Sequence, residues 1–245
     1  LTTLFISDLH LDASRPAITA CFLGFLAREA READALYILG DLFESWVGDD
    51  DPDADQSAAI AGLRRLTASG VPCFVMHGNR DFLIGERFAA ETGARLLPDP
   101  LLLTLHGQTV LVMHGDALCT DDAAYQRLRA TVRDASWQSE FLALRVAQRR
   151  ALADAARDGS RAHMAEVPDT ITDVNHDSVA GVMRDAGASI LLHGHTHRPA
   201  IHALAVDGRA CTRIVLGDWY TQGSVLRWDE QGYALAALPP GDGPE

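Results

Sequence analysis

Residues Thr3-Leu4-Phe5-Ile6-Ser7-Asp8-Leu9-His10 decide the fold. A short apolar run suited to a buried strand ends in a carboxylate and an imidazole two positions apart. Along a strand, such a pair shares one face. The same grammar recurs down the chain. Leu36–Leu39 runs toward Gly40-Asp41, Cys73–Met76 toward Gly78-Asn79-Arg80-Asp81, and Val110–Met113 into His114-Gly115-Asp116. Ile190–Leu192 leads to Gly194-His195-Thr196-His197. Each polar cluster alone says little. Five in order, each behind an apolar run, point to metal ligands gathered at the tips of buried strands.

Between these runs the pattern turns helical. Helices are predicted over Ala17–Glu32, Ala54–Ser69 and Ile84–Thr92, with Gly70-Val71-Pro72 and Gly93 as stops. Strands alternating with helices imply a largely parallel sheet with helices outside. Leu101–Leu105 and Thr109–Met113 read as a hairpin turning at His106-Gly107-Gln108. Residues 121–166 carry no strand signal and form a helical insertion within a single domain of residues 1–245. A helix over Asp177–Asp185 and a strand over Ser189–Leu192 return to the core. Strands Ile201–Val206, Ala210–Leu216 and Ser224–Trp228 follow, and the tail Pro239–Glu245 is expected to fray.

Composition narrows the class. A chain of 245 residues, 47% hydrophobic and 22% charged, is an ordinary globular protein with a sizeable core. A net charge of −13 argues against a nucleic-acid binder. The charge is uneven. Residues 123–163 hold eight arginines against four acids, a basic patch suited to an anionic substrate or an anionic membrane surface. No apolar run reaches the roughly 18 residues of a membrane span, and no signal-peptide pattern opens the chain. Cys21, Cys73, Cys119 and Cys211 form no CxxC pair and read as reduced, buried small residues, which places the chain in the cytoplasm.

Carboxylate, imidazole and amide donors suit divalent ions such as Mn²⁺. Asp8 and His10 can grip one ion, Asp41 can bridge two, Asn79 offers a neutral oxygen, and His114, His195 and His197 offer nitrogens. Two ions about 3.5–4 Å apart activate a water and clamp a phosphoryl group.

The order D-x-H, G-D, G-N, H, G-H-x-H resembles the calcineurin-like metallophosphoesterase superfamily. That resemblance implies an αββα sandwich with a dinuclear centre. It puts Asp8, His10, Asp41 and His197 on one ion, and Asp41, Asn79, His114 and His195 on the other. Many members carry histidine after the G-N pair, as an acid for the leaving group. Arg80 stands there instead. Arginine keeps its proton, so it binds phosphate rather than protonating an alkoxide. A phosphate leaving group needs no such acid, so the exchange favours cleavage of a pyrophosphate.

The runs at residues 3–11, 38–50, 78–85, 114–126, 171–175, 193–200 and 213–225 are similar to the UDP-2,3-diacylglucosamine diphosphatase branch. The branch implies water attack at the α-phosphorus of UDP-2,3-diacylglucosamine, giving UMP and 2,3-diacylglucosamine 1-phosphate (lipid X) in lipid A biosynthesis. It implies two Mn²⁺ ions, a monomer, and peripheral contact with the cytoplasmic face of an anionic inner membrane. The helical insertion would then be a lipid-binding cap. Asp41, Asn79, Arg80, His114 and His195 would be catalytic, and Asn79, Arg80, Asp122, Tyr125, Ser160 and His195 would contact substrate. The branch usually has Asn four and Lys seven residues after that Ser, where this chain has Met164 and Val167; Arg161 or His163 are the candidate replacements. Another metallophosphodiesterase of the superfamily, acting on a soluble nucleotide or phosphate ester, is the alternative.

Other polar residues read as structural. His77 and His193 are expected to support the ligand loops, and Asp49, Asp50, Asp51, Asp53 and Asp55 to form a solvated acidic loop. Asp116 is a candidate for holding a ligand imidazole in one tautomer. Trp46 is a candidate for either pocket lining or packing.

Overall fold

The computed structural model describes residues 1–166 and 171–239, with the backbone alone given for residues 54 and 161–166. Two sheets pack face to face. The first has the order β11-β10-β1-β2-β3-β4. Its strands β1 (Thr3–Ile6), β2 (Ala35–Leu39), β3 (Cys73–Met76) and β4 (Arg95–Leu97) are parallel, while β10 (Gly223–Asp229) and β11 (Gly232–Leu238) run antiparallel to their neighbours. The second has the order β5-β6-β7-β9-β8, built from β5 (Leu101–Leu105), β6 (Gln108–Met113), β7 (Ile190–His193), β8 (Ala200–Val206) and β9 (Arg209–Val215).

Alternation along the strands builds three apolar layers. Phe5, Leu39, Met76 and Leu226 of the first sheet meet Val110, Val112, Leu192 and Ile214 of the second. The opposite face of the first sheet packs under α1 (Pro16–Ala27), α2 (Ala54–Ala68) and α3 (Glu86–Thr92), through Phe22, Phe25, Leu63 and Phe88. The opposite face of the second packs under α7 (His176–Ala186), through Val179 and Met183. This is the αββα sandwich expected. The hairpin of β5 and β6 forms as expected, with positive φ at His106 and Gly107. All four cysteines are free and buried.

Several boundaries differ from expectation for local reasons. The first helix stops at Ala27; a 3₁₀ turn at Ala30–Glu32 then buries Ala30, and Glu29 pairs with Arg227 of β10 at 2.5 Å. The third helix begins only at Glu86, because Asp49 accepts the backbone N–H groups of Gly85 and Phe88 and fixes the start there. Strands β4 and β11 were not foreseen: the first is three residues long, and the second is largely Ala and Leu, which give weak strand signals.

Three helices stand in the crossover between β6 and β7: α4 (Ala123–Val132), α5 (Ala135–Leu142) and α6 (Val146–Glu166). Asp122 caps α4 and Asp134 caps α5. The acidic loop after β2 is in part solvated, as expected, with Asp50 and Asp53 exposed, but its carboxylates are also paired. Asp53 closes a capping box with Gln56 on α2, and Asp50 and Asp51 pair with Arg149 and Arg150 of α6. Arg149 is only 2% exposed and also donates to the Val47 carbonyl. Much of the basic excess on these helices is therefore spent inside the molecule rather than on a free face. Met164, Val167, Arg161, His163 and the tail beyond Pro239 lie outside the described side chains.

Candidate metal centre and the cavity beside it

Five loops leave the strand ends of both sheets and converge. Asp8, His10, Asp41 and Asn79 follow strands of the first sheet; His114, His195 and His197 follow strands of the second. Oxygen and nitrogen atoms of Asp8, His10 and His197 lie within 4.8 Å of one another, as do those of Asp8, Asp41 and His114. His10 Nε2 lies 3.2 Å from His197 Nε2 and 3.6 Å from Asp41 Oδ2. Asn79 Oδ1 lies 2.9 Å from both His114 Nε2 and His195 Nδ1. All seven expected ligands thus meet in one place, with Asp41 between the two groups.

The donor set fits divalent cations. Asp8 is fully buried, and its Oδ1 has no hydrogen-bond donor. Burial raises the Asp41 carboxyl, with Asp81 and Asp8 adding to the rise. Asp8 resists its own burial and stays well below the usual carboxylate range, held by His197, His114 and His10. The His114 ring, although buried, is raised to about 9 by the carboxylates of Asp41, Asp116 and Asp8. Burial beside His114 drives His195 down to about 3, so it stays neutral, as a ligand nitrogen must. Crowded carboxylates facing imidazole lone pairs are relieved by cations.

Backbone strain marks the same residues. Among the described residues, seven other than glycine have positive φ, and five are expected ligands: Asp8 (55°), His10 (49°), Asp41 (52°), His195 (68°) and His197 (55°). Such conformations cost free energy and collect at functional sites. Close approach explains two glycines. A Cβ on Gly78 would lie 2.1 Å from Asp41 Oδ1, and one on Gly194 would lie 2.3 Å from Asp8 Oδ2.

The neighbours that aim these ligands are only partly those foreseen. Fully buried Asp81 accepts from the backbone N–H groups of Gly78 and Leu42 at 2.8 Å, and from those of Asp41 and Phe43 at 3.3 and 3.4 Å. Glu44 Oε2 lies 3.1 Å from His10 Nδ1. The Leu39 carbonyl, not Asp116, meets His114 Nδ1, at 2.9 Å. Asp116 instead accepts from the Tyr125 hydroxyl and Arg129 Nε, at 2.9 and 2.8 Å, because α4 packs directly on it. His77 bonds the Ile84 carbonyl and His193 that of Gly194, the supporting roles expected. A sixth cluster went unrecognised: β9 runs into Gly217-Asp218-Trp219-Tyr220, with Asp218 Oδ2 3.9 Å from His197 Nδ1. A strand followed by Gly-Asp was the available signal.

A cavity of about 530 Å³ opens beside the centre. Asn79, Arg80, Asp116 and Tyr125 line it beside the ligands; Trp137, Phe141, Leu144 and Leu152 also line it, with Ser160 and charged groups that include Arg133, Glu140 and Arg157. Tyr125 stacks on the His195 ring, with centroids 5.9 Å apart. Trp46 both lines the cavity and stacks on Phe43. Asp122 does not line it; its side chain caps α4 through the Tyr125 N–H.

The model of calcineurin-like phosphoesterases matches residues 1–199, and the chain belongs to that family. Its curated relatives include two proteins that are named UDP-2,3-diacylglucosamine hydrolase. One, from Stenotrophomonas maltophilia (strain K279a), is 53% identical across 97% of this chain and 99% of its own length. The other, from Xanthomonas oryzae pv. oryzae (strain PXO99A), is 54% identical across 96% of this chain and 98% of its own length.

Proposed function

We propose that the chain hydrolyses the diphosphate of UDP-2,3-diacylglucosamine by water attack at the α-phosphorus, releasing UMP and 2,3-diacylglucosamine 1-phosphate. The shape of the cavity carries this reading. It meets the ligands at Asn79 and Arg80 and carries a large apolar lining of Trp137, Phe141, Leu144 and Leu152, with charged groups such as Arg133 and Arg157 among them. A substrate with a phosphate next to acyl chains matches those surfaces, whereas a soluble nucleotide or phosphate ester leaves the apolar lining unused. The names of the relatives agree.

Asp8, His10, Asp41 and His197 would hold one ion, and Asp41, Asn79, His114 and His195 a second, with Mn²⁺ the expected metal. When bound, the ions supply Lewis-acid charge and an activated water. The protein's own part is placement. Asp81 fixes the loops that bear Asp41 and Asn79. Arg80, whose N–H donates to Asp41 Oδ1 at 2.8 Å, lines the cavity next to the ligands and would bind the departing phosphate as a permanent cation. Tyr125 and Ser160 would contact the glucosamine part; Asp122 would act through Tyr125 and α4. Residues 121–166 would form a cap for the acyl chains, with Leu128 and Leu152 at the cavity and Leu142 exposed toward a membrane surface. No described helix is long and apolar enough to cross a membrane. From the lipid in the relatives' printed names and the exposed Leu142 we infer a monomer in peripheral contact with the cytoplasmic face of the membrane.

The test is product analysis of UDP-2,3-diacylglucosamine with Mn²⁺ in ¹⁸O water. UMP carrying the label, with no turnover under EDTA or in Asp41→Ala, is the expected result. Label in the lipid phosphate would refute α-phosphorus attack, and turnover of simple esters alone would refute the substrate.

A further inference from the structure

Among the described phenylalanine, tyrosine and tryptophan residues, Tyr220 alone is exposed, at 41%. It stands at the ligands rather than on a remote surface. Its ring stacks on His10, with centroids 5.2 Å apart and planes inclined by 23°. The His197 ring meets it edge-on, also at 5.2 Å. The Arg15 guanidinium lies over the ring, 4.5 Å from its centroid.

The mounting is rigid. The neighbouring Trp219 is fully buried; its backbone N–H donates to the Asp8 carbonyl at 3.0 Å, and its indole donates to the Ser224 carbonyl at 3.0 Å. The Tyr220 N–H donates to Asp218 Oδ1 at 3.0 Å. Arg15 is fixed in turn: its Nη2 donates to the His10 carbonyl at 2.5 Å and lies 3.6 Å from Glu44 Oε2. Leaving a large ring in water on a fixed turn, beside ligand side chains, gains nothing for the fold.

The cavity described above reaches the ligands at Asn79, Arg80 and Tyr125 and extends to Glu44, the neighbour of His10 and Arg15, but Tyr220 is not part of its lining. A diphosphate held at the ligands with its acyl chains in that cavity must send its other end away from it. The side of His10 and His197 is where Tyr220 and Arg15 stand. We propose that Tyr220 is the stacking platform for the nucleobase of the substrate, with Arg15 donating to a carbonyl oxygen of the base or to its phosphate. This rests on the reading that the substrate is a nucleotide-linked lipid. An exposed aromatic ring beside a cation suits a base, since every base offers a flat face to stack on.

The test compares wild type, Tyr220→Ala and Tyr220→Phe on two substrates: the uridine diphosphate lipid, and the same lipid diphosphate capped with a ribose that lacks a base. Stacking of this kind makes the base worth about 10- to 100-fold in kcat/KM. That preference should collapse in Tyr220→Ala and persist in Tyr220→Phe. In parallel, calorimetry with UMP and with ribose 5-phosphate, in EDTA and again in Mn²⁺, should show tighter binding of UMP to wild type and equal binding of both by Tyr220→Ala. Equal losses on both substrates, or UMP no tighter than ribose 5-phosphate in wild type, would overturn the platform and leave Tyr220 as a brace for His10. If wild type fails to turn over the nucleotide lipid, the proposed function falls, and the titration still decides the platform.

Discussion

Replacing Asp81 should cost more stability than replacing any ligand it supports. Its carboxylate is not among the expected ligands, yet it accepts four backbone N–H groups from two loops. The bonds to Gly78 and Leu42, at 2.8 Å, are full charge-assisted hydrogen bonds worth about 1.5–3 kcal/mol each. The longer pair, at 3.3 and 3.4 Å, roughly offsets the cost of burying the carboxylate, which alanine would relieve. Asp81→Ala should therefore lose about 3–6 kcal/mol, a large part of the roughly 5–15 kcal/mol that holds a typical domain. Asp81→Asn keeps one acceptor oxygen but turns an NH₂ toward the other donors, so about half that loss is expected. Urea unfolding in EDTA reads the effect without a contribution from bound metal. A shift of the midpoint at constant slope is expected. A loss below about 1 kcal/mol in Asp81→Ala would refute the claim that this carboxylate organises the loops.

Further expectations concern other contacts. Gly78→Ala should abolish metal uptake, measured as Mn²⁺ per chain, because the added Cβ would collide with the Asp41 carboxylate and backbone N–H. Glu44→Gln should weaken Mn²⁺ affinity by about 10- to 100-fold in a chelator competition, since the charge that orients His10 is lost. Arg149→Met should make α6 sensitive to limited proteolysis while leaving the urea midpoint of the sandwich nearly unchanged, because Arg149 joins α6 to the Val47–Asp50 loop and not to the sheets. The Arg149 hydrogen bond lowers the Asp50 carboxyl below its usual range. That tether is complete above the unfolded carboxylate value of about 4 and weakens as pH falls through the lower folded value, so wild-type α6 should become more cleavable in acid.

The sandwich and the convergence of the seven candidate ligands were legible because strand ends leave a strong local trace: an apolar run, then a small residue, then a donor. Naming the seven candidates needed no knowledge of distant contacts. Asp81 and Glu44 were not legible as supports, because their partners are backbone groups and a ring brought close only by folding. The pairing of the acidic loop was hidden for the same reason: the arginines that hold Asp50 and Asp51 lie 99 positions away. The register of β11 was hidden by its alanines, which serve there as strand residues only because β10 is beside them.

The left-handed backbone at Asp8, His10, Asp41, His195 and His197 sets these positions against the rest of the molecule. Glycine or asparagine would sit there with less strain than histidine does. A lineage selected for a sturdy sandwich alone would find local backbone strain relieved by those residues. The survival of two carboxylates and three imidazoles in a conformation that disfavours them is thus a record of selection on chemistry, written in torsion angles. It also gives a practical ordering: a stabilised scaffold for redesign begins with the ligands, and a working catalyst keeps its least comfortable residues.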